Sequence, residues 1–166
     1  QAVKQFRMAS GMEGPKDAAL LDASLIIPTV VNLPLSIGIP DFYSSDQSLR
    51  LKLYRRLADL KDEVELASIE MEFEDRFGPL PEQVRNLIYQ IRVKLLAANA
   101  GLASVGFEGR QLVLRYPPLP EGVQSRKLRE FARPVMTGKN AYRIQFSNPE
   151  EEPWQEALLG FLLKIQ

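Results

Sequence analysis

The spacing of apolar residues changes at Gly101 and divides the chain into two parts. Before this glycine, apolar side chains recur every three or four positions in three runs, which is the period of helices packed along one side. The runs begin near residues 47, 63 and 82, and Gly78 and Gly101 are placed to end the second and third helices. Three helices with short connections predict a compact helical layer. The predicted buried positions are Leu49, Leu53, Leu57 and Leu60, then Leu66, Ile69, Phe73 and Phe77, then Val84, Leu87, Ile88, Ile91, Leu95 and Ala98.

The chain after Gly101 has the pattern of short strands. Residues 103–107 and 111–116 predict two strands joined by a turn with Gly109 at its centre. Residues 141–146 alternate with period two, as in a strand with one face on the core. Residues 125–132 and 153–165 predict helices. We therefore expect an α+β fold, in which an N-terminal three-helix layer is followed by a small β-sheet flanked by helices.

Residues 25–35 form an apolar segment that contains Pro28 and Pro34. Because proline has no N–H to donate to a central ladder, this segment predicts an extended arm or an edge strand. We expect residues 1–40 to form a connector with an extended arm, and residues 41–166 to form the folded domain. The chain has no initiator methionine, and we interpret it as a fragment of a longer protein.

The composition excludes several classes of catalytic site. The chain has no histidine and no cysteine, and its 21 basic and 21 acidic residues give a net charge of zero. Histidine bases, cysteine nucleophiles and thiolate metal sites are thereby excluded, and the sequence has no glycine-rich phosphate loop. We expect no catalytic residue, no metal and no cofactor in this chain. The absence of cysteine fits a cytoplasmic protein, and no apolar run reaches the roughly 18 residues of a membrane helix.

The second predicted helix is strongly acidic. Between residues 59 and 75 there are eight acidic residues and one basic residue, Lys61. Spacings of three, four and three place Glu65, Ser68, Glu72 and Asp75 in one stripe beside the buried face. A solvated helix face and a docking surface for a basic partner both explain such a stripe. A metal site is the weaker interpretation, because carboxylates on one helix without loop ligands rarely enclose an ion.

A basic cluster lies on the predicted helix at 125–132 and directly after it. Its members are Arg126, Lys127, Arg129 and Arg133. A basic helix of this kind can contact phosphates, so a nucleic-acid-binding accessory domain is the alternative function. The patch is weak, because Glu130 lies among the four bases and the chain has no net positive charge.

Several segments between residues 31 and 101 resemble a known family. Residues 32–35 read Asn-Leu-Pro-Leu, residues 39–43 read Ile-Pro-Asp-Phe-Tyr, and a leucine-rich Tyr-Arg-Arg helix follows at residues 49–58. Residues 69–81 end in the run Asp-Arg-Phe-Gly-Pro-Leu-Pro. Together they resemble the C-terminal region of the bacterial transcription-repair coupling factor (Mfd) family. From Leu102 onward the sequence offers a compatible length and element order, without a matching motif.

The resemblance implies a regulatory part of a larger machine. In this family the parent is an ATP-driven DNA translocase that displaces stalled RNA polymerase and recruits the excision-repair protein UvrA. ATP and Mg belong to motor motifs upstream of a region like this one, so the fragment itself is expected to lack activity. The resemblance implies contact with RNA polymerase and DNA only through the parent, no contact with membranes, and a monomeric fragment.

The resemblance also implies a docking role for the acidic helix. The family's C-terminal domain docks on a UvrB-like N-terminal module, covers the UvrA-binding surface and restrains the translocase. The family's acidic contacts fall on the positions of Glu72 and Asp75. Glu65 and Ser68 lie on the same stripe, and we predict them at the periphery of the docking surface. Between them this chain has Phe73 and Glu74, where relatives are often apolar at both positions. Residues 1–39 would be the connector that leaves the motor.

Overall fold

The computed structural model describes residues 28–118, 121, 131 and 133–166. Within them, helices and a small sheet form an α+β fold, which confirms the predicted class. In chain order the elements are β1 (Val30–Asn32), α1 (Gln47–Ala58), α2 (Glu63–Phe77), α3 (Glu82–Asn99), β2 (Ser104–Glu108), β3 (Gln111–Arg115), β4 (Val135–Thr137), β5 (Ala141–Gln145) and α4 (Trp154–Ile165).

The sheet has five strands in the order β1-β2-β3-β5-β4. Strand β1 lies at one edge and runs parallel to β2, whereas the other neighbours are antiparallel. A Cβ atom at Gly106 would lie 3.0 Å from the carbonyl oxygen of Asn32, so glycine permits the close approach of β1. The edge strand predicted in residues 25–35 is thus confirmed over Val30–Asn32. It lies before residue 41, so the sheet includes residues that we assigned to the connector.

The apolar residues form two clusters, and α3 contributes to both. One cluster joins α1, α2 and α3 and contains Leu53, Leu57, Leu66, Ile69 and Phe73. The other joins the sheet, α4 and the C-terminal half of α3. Helix α3 is therefore buried on two sides and packs against both the helical layer and the sheet.

The two-sided burial of α3 corrects part of the predicted core. Ala98 was assigned to the buried stripe, but it is exposed, and Ile91 and Leu95 are only partly buried. The buried residues in this half of the helix are Val93, Leu96 and Ala97. The prediction followed one stripe along the whole helix, whereas the sheet covers a second face of its last turns.

The predicted helix at 125–132 lies outside the described residues, apart from Phe131, whose ring packs edge-on against Phe161 at 5.2 Å.

Strand β4 was not predicted. Its three residues, Val-Met-Thr, are too few to show a period of two, and pairing with β5 defines the strand.

Tyr43 fixes the C-terminal end of α2 from outside the helix. Its hydroxyl lies 3.0 Å from the carbonyl oxygen of Phe73 and 2.9 Å from that of Gly78. Carbonyl groups at a helix end have no partner within the helix, so a buried side-chain donor stabilises this end. The last turn of α2, which carries Asp75, is therefore held in place.

Candidate functional site

Helix α2 presents the predicted docking residues, and hydrogen bonds at both ends fix it. Asp62 caps the N-terminus, where its carboxylate accepts from the backbone N–H of Glu65 at 2.8 Å. The Glu65 carboxylate in turn accepts from the backbone N–H of Lys61 at 3.0 Å. At the other end, Gly78 has a positive φ of 86°, and its backbone N–H donates to the carbonyl oxygen of Glu74. Glu65, predicted at the docking periphery, thus also holds the start of the helix.

Glu72 is the centre of an ion-pair network that joins α1 to α2. Arg56 of α1 donates two parallel hydrogen bonds to the two carboxylate oxygens, at 2.9 and 2.7 Å. Arg76, one turn further along α2, donates a third at 2.9 Å. The Glu72 side chain remains about a third exposed at 33%. A carboxylate has about four acceptor sites, so three are in use and one remains for a partner.

These arginines lower the pKa of Glu72 from 4.5 to about 2, chiefly through the hydrogen bonds of Arg56 and then of Arg76. The pKa of Glu72 is lower in the folded state than its ordinary value. The ion pairs with Arg56 and Arg76 therefore contribute their full stabilisation at pH values above that ordinary pKa. That stabilisation is lost as pH falls from about 4.5 towards 2. The pair is partly exposed, so its contribution is that of a surface pair, about 0.2–1 kcal/mol.

We predict that Glu72→Gln lowers the free energy of unfolding by about 0.2–1 kcal/mol at pH 7 and that this difference shrinks below about pH 4. Urea denaturation at a series of pH values measures it. Glu74→Gln is the matched control, because Glu74 is an exposed acid on the same helix without an ion pair among the described residues. Equal effects of the two substitutions, independent of pH, would contradict a stabilising role for the ion pairs of Glu72.

Asp75 differs from Glu72, because it is exposed and forms no ion pair within the described part of the chain. It also lies in the last turn of α2, where the negative end of the helix dipole disfavours a carboxylate by roughly 0.3–1 kcal/mol. A carboxylate in an unfavourable local position, without a partner in the described part of the fold, is a candidate for contact with another molecule.

Two other acids of α2 and the serine of the stripe have partners in the fold. Glu63 and Glu70 pair with Arg92 of α3, at 3.6 and 3.3 Å. Ser68 donates its hydroxyl to the carbonyl oxygen of Val64 at 3.0 Å, so its polar group is satisfied within the helix. The structure thus divides the acidic stripe: Glu65, Ser68 and Glu72 have local partners, whereas Asp75 has none among the described residues.

Sequence reasoning missed the contact between Arg56 and Glu72, because they lie on different helices, 16 residues apart. The pair of Glu72 with Arg76 was detectable, since residues four apart on a helix are neighbours.

The basic cluster is only partly described. Arg126, Lys127 and Arg129 lie outside the described residues. Arg133 pairs with Glu152 at 2.5 Å, and its guanidinium lies 4.8 Å from the centre of the Phe146 ring. These contacts give Arg133 a role within the domain, and phosphate contact by the cluster stays a prediction.

Two cavities lie on the helical layer. One of about 450 Å³ adjoins α2 and is lined by Arg56, Asp59, Leu60, Val64, Glu65, Ser68 and Ile69. A larger apolar groove of about 800 Å³ lies between α1, α3 and the start of the sheet, and the described part of its lining includes none of the predicted site residues. Among the described residues, no cluster of acidic side chains is arranged to hold a metal ion, and no helix is long and apolar enough to cross a membrane.

Comparison with known proteins agrees with this fold. Residues 33–125, more than half of the chain, match the model of the TRCF domain. The chain therefore belongs to the TRCF domain family.

The related curated proteins are transcription-repair-coupling factors. The protein from Rickettsia typhi is 36% identical over 101 residues, which cover 61% of this chain and 9% of the relative. The protein from Mycobacterium bovis is 34% identical over 102 residues, covering 61% and 8%. That from Escherichia coli K12 is 38% identical over 74 residues, covering 45% and 6%. The chain thus spans less than a tenth of the length of these relatives.

A solved structure shares the fold. The crystal structure of a C-terminal domain of transcription-repair coupling factor superimposes with a TM-score of 0.66 at 20% identity, covering 83% of this chain and 93% of that one. This match extends the likeness of fold into the second half of the chain, where no sequence motif matched. The resemblance inferred from the Asp-Arg-Phe-Gly-Pro-Leu-Pro run is confirmed: the chain is a C-terminal domain of the transcription-repair coupling factor type.

Proposed function

We propose that this domain is an autoinhibitory module without catalytic activity of its own. It docks on the UvrB-like N-terminal module of its parent transcription-repair coupling factor, covers the UvrA-binding surface and restrains the parent until the contact is released. The parent then supplies the ATP- and Mg-dependent motor, acts on DNA and RNA polymerase, and works in the cytoplasm.

The observation that carries this proposal is the state of Asp75. Its carboxylate is exposed and unpaired among the described residues, and it lies on a helix end held by Gly78 and Tyr43. Glu72, three residues earlier on the same face, retains one acceptor site beside Arg56 and Arg76. Two carboxylates on one face of a helix whose end is held in place fit arginine side chains of a partner, because charge-assisted hydrogen bonds to arginine are strong and directional.

Titration of the chain against the isolated N-terminal module of its parent tests the proposal. Calorimetry should detect a one-to-one complex that weakens as salt rises, since charges form part of the contact. A DNA duplex serves as the second ligand under the same conditions. Binding to the duplex without binding to the module would replace autoinhibition with the nucleic-acid-binding alternative.

A further inference from the structure

We propose that the docking surface on α2 has an apolar centre, formed by Val64, Met71 and the adjoining cavity. This centre accepts an apolar side chain from the same partner surface that presents arginines to Asp75 and Glu72. The inference rests on the proposed docking function. It adds Val64 and Met71, which do not belong to the acidic stripe, to the docking surface.

The apolar centre is visible in the exposure of α2. Val64 is 77% exposed and Met71 is 72% exposed, and among the described residues only Phe42 is a more exposed large apolar side chain, at 82%. Val64 and Met71 are seven residues apart, so they lie two turns apart on one face of the helix. Ser68 lies between them, with its hydroxyl bonded back to the helix. Asp75 follows on the same face, one turn beyond Met71.

The cavity of about 450 Å³ continues this surface towards α1. Leu60 and Ile69 supply apolar lining, and Val64 and Ser68 border it on α2. Ile69 is only 6% exposed and belongs to the helical core, so this part of the cavity is fixed by the fold. An apolar side chain that entered here would be removed from water without rearrangement of α2.

The charges around the centre select a basic partner. Asp59 and Glu65 lie at the cavity beside Arg56, whose charge is paired with Glu72, and Asp75 lies at the opposite end of the stripe. Carboxylates therefore flank the apolar centre on both sides. An apolar centre with a polar rim is the usual anatomy of a binding interface. A second copy of this chain would place acidic rim against acidic rim, and like charges disfavour that contact. A partner surface with arginines around an apolar side chain is complementary to this centre and its acidic rim.

Met71→Ser tests the inference, with Leu163→Ser as the matched control. Leu163 is also an exposed apolar residue, at 59%, but it lies on α4. Each variant is titrated against the N-terminal module at low and high salt, beside Asp75→Asn. We expect Met71→Ser to weaken binding about tenfold or more at both salt concentrations, because apolar burial is insensitive to salt screening. The loss of affinity caused by Asp75→Asn should become smaller at high salt. Leu163→Ser should bind the module as the wild type does.

The outcomes separate the inference from the function on which it rests. Unchanged affinity in Met71→Ser, with weaker binding in Asp75→Asn, overturns the apolar centre and leaves charge-mediated docking intact. Weaker binding in Met71→Ser with unchanged Asp75→Asn supports the centre and contradicts the carboxylate contact. Wild-type affinity in both variants overturns both. Self-association of the chain that disappears in Met71→Ser would assign the surface to a second copy and overturn the choice of partner.

Discussion

Replacing Phe161 by alanine is expected to lower the free energy of unfolding by about 3–5 kcal/mol. Phe161 lies in the middle of α4, is fully buried at 0% exposure, and packs edge-on against Tyr142 of β5 at 5.3 Å. Its removal would leave a cavity between α4 and the sheet, which the surrounding side chains fill only in part. Urea denaturation followed by the fluorescence of Trp154 measures the change.

Leu163→Ala is the control for this prediction. Leu163 lies two residues away on the same helix and is 59% exposed, so its truncation should change stability by no more than about 0.5 kcal/mol. Similar losses in the two variants would show that α4 is not packed on the sheet as described.

Replacing Asp75 by asparagine is expected to weaken docking on the N-terminal module by about 2 kcal/mol or more, which is roughly 30-fold in affinity. Part of this cost is the partner's arginine left without its carboxylate. The stability of the domain should be unchanged or slightly higher, because the substitution removes a negative charge from the C-terminal end of α2. Calorimetric titration and thermal denaturation of the same samples measure the two effects.

Two further variants sharpen the assignment. Glu74→Gln removes the same charge from a position about 100° around the helix from Asp75, so it should bind nearly as wild type. Glu72→Gln should lose both affinity and stability, because Glu72 also pairs with Arg56 and Arg76. A fall in stability without a fall in affinity for Asp75→Asn would contradict the docking role.

Local periodicity was enough to predict most of the fold. The start of α2 near residue 63, its end at Gly78, its buried residues and the period of two in β5 all follow from neighbouring residues in the sequence. The second buried face of α3 does not, because it exists only where the sheet packs on Val93, Leu96 and Ala97. A single stripe drawn on an isolated helix cannot show contacts made by distant strands.

The candidate site also combines features that local spacing predicts with contacts between distant residues that it does not. Spacing correctly placed Glu72 and Asp75 on one face of α2, outside its apolar stripe. It could not distinguish them, because Arg56 reaches Glu72 from another helix while Asp75 receives no such partner among the described residues. Spacing also left the exposed Val64 and Met71 outside the buried stripe, but it could not show that Val64 borders a cavity between α1 and α2.

Competition for the N-terminal module tests the central claim most directly. UvrA is bound to the isolated N-terminal module, and the domain is added at rising concentration while bound UvrA is measured. If the domain covers the UvrA-binding surface, UvrA is displaced, and Asp75→Asn displaces it only at concentrations roughly 30-fold higher. If UvrA stays bound while the domain saturates the module, the two surfaces are separate and the autoinhibitory account is wrong.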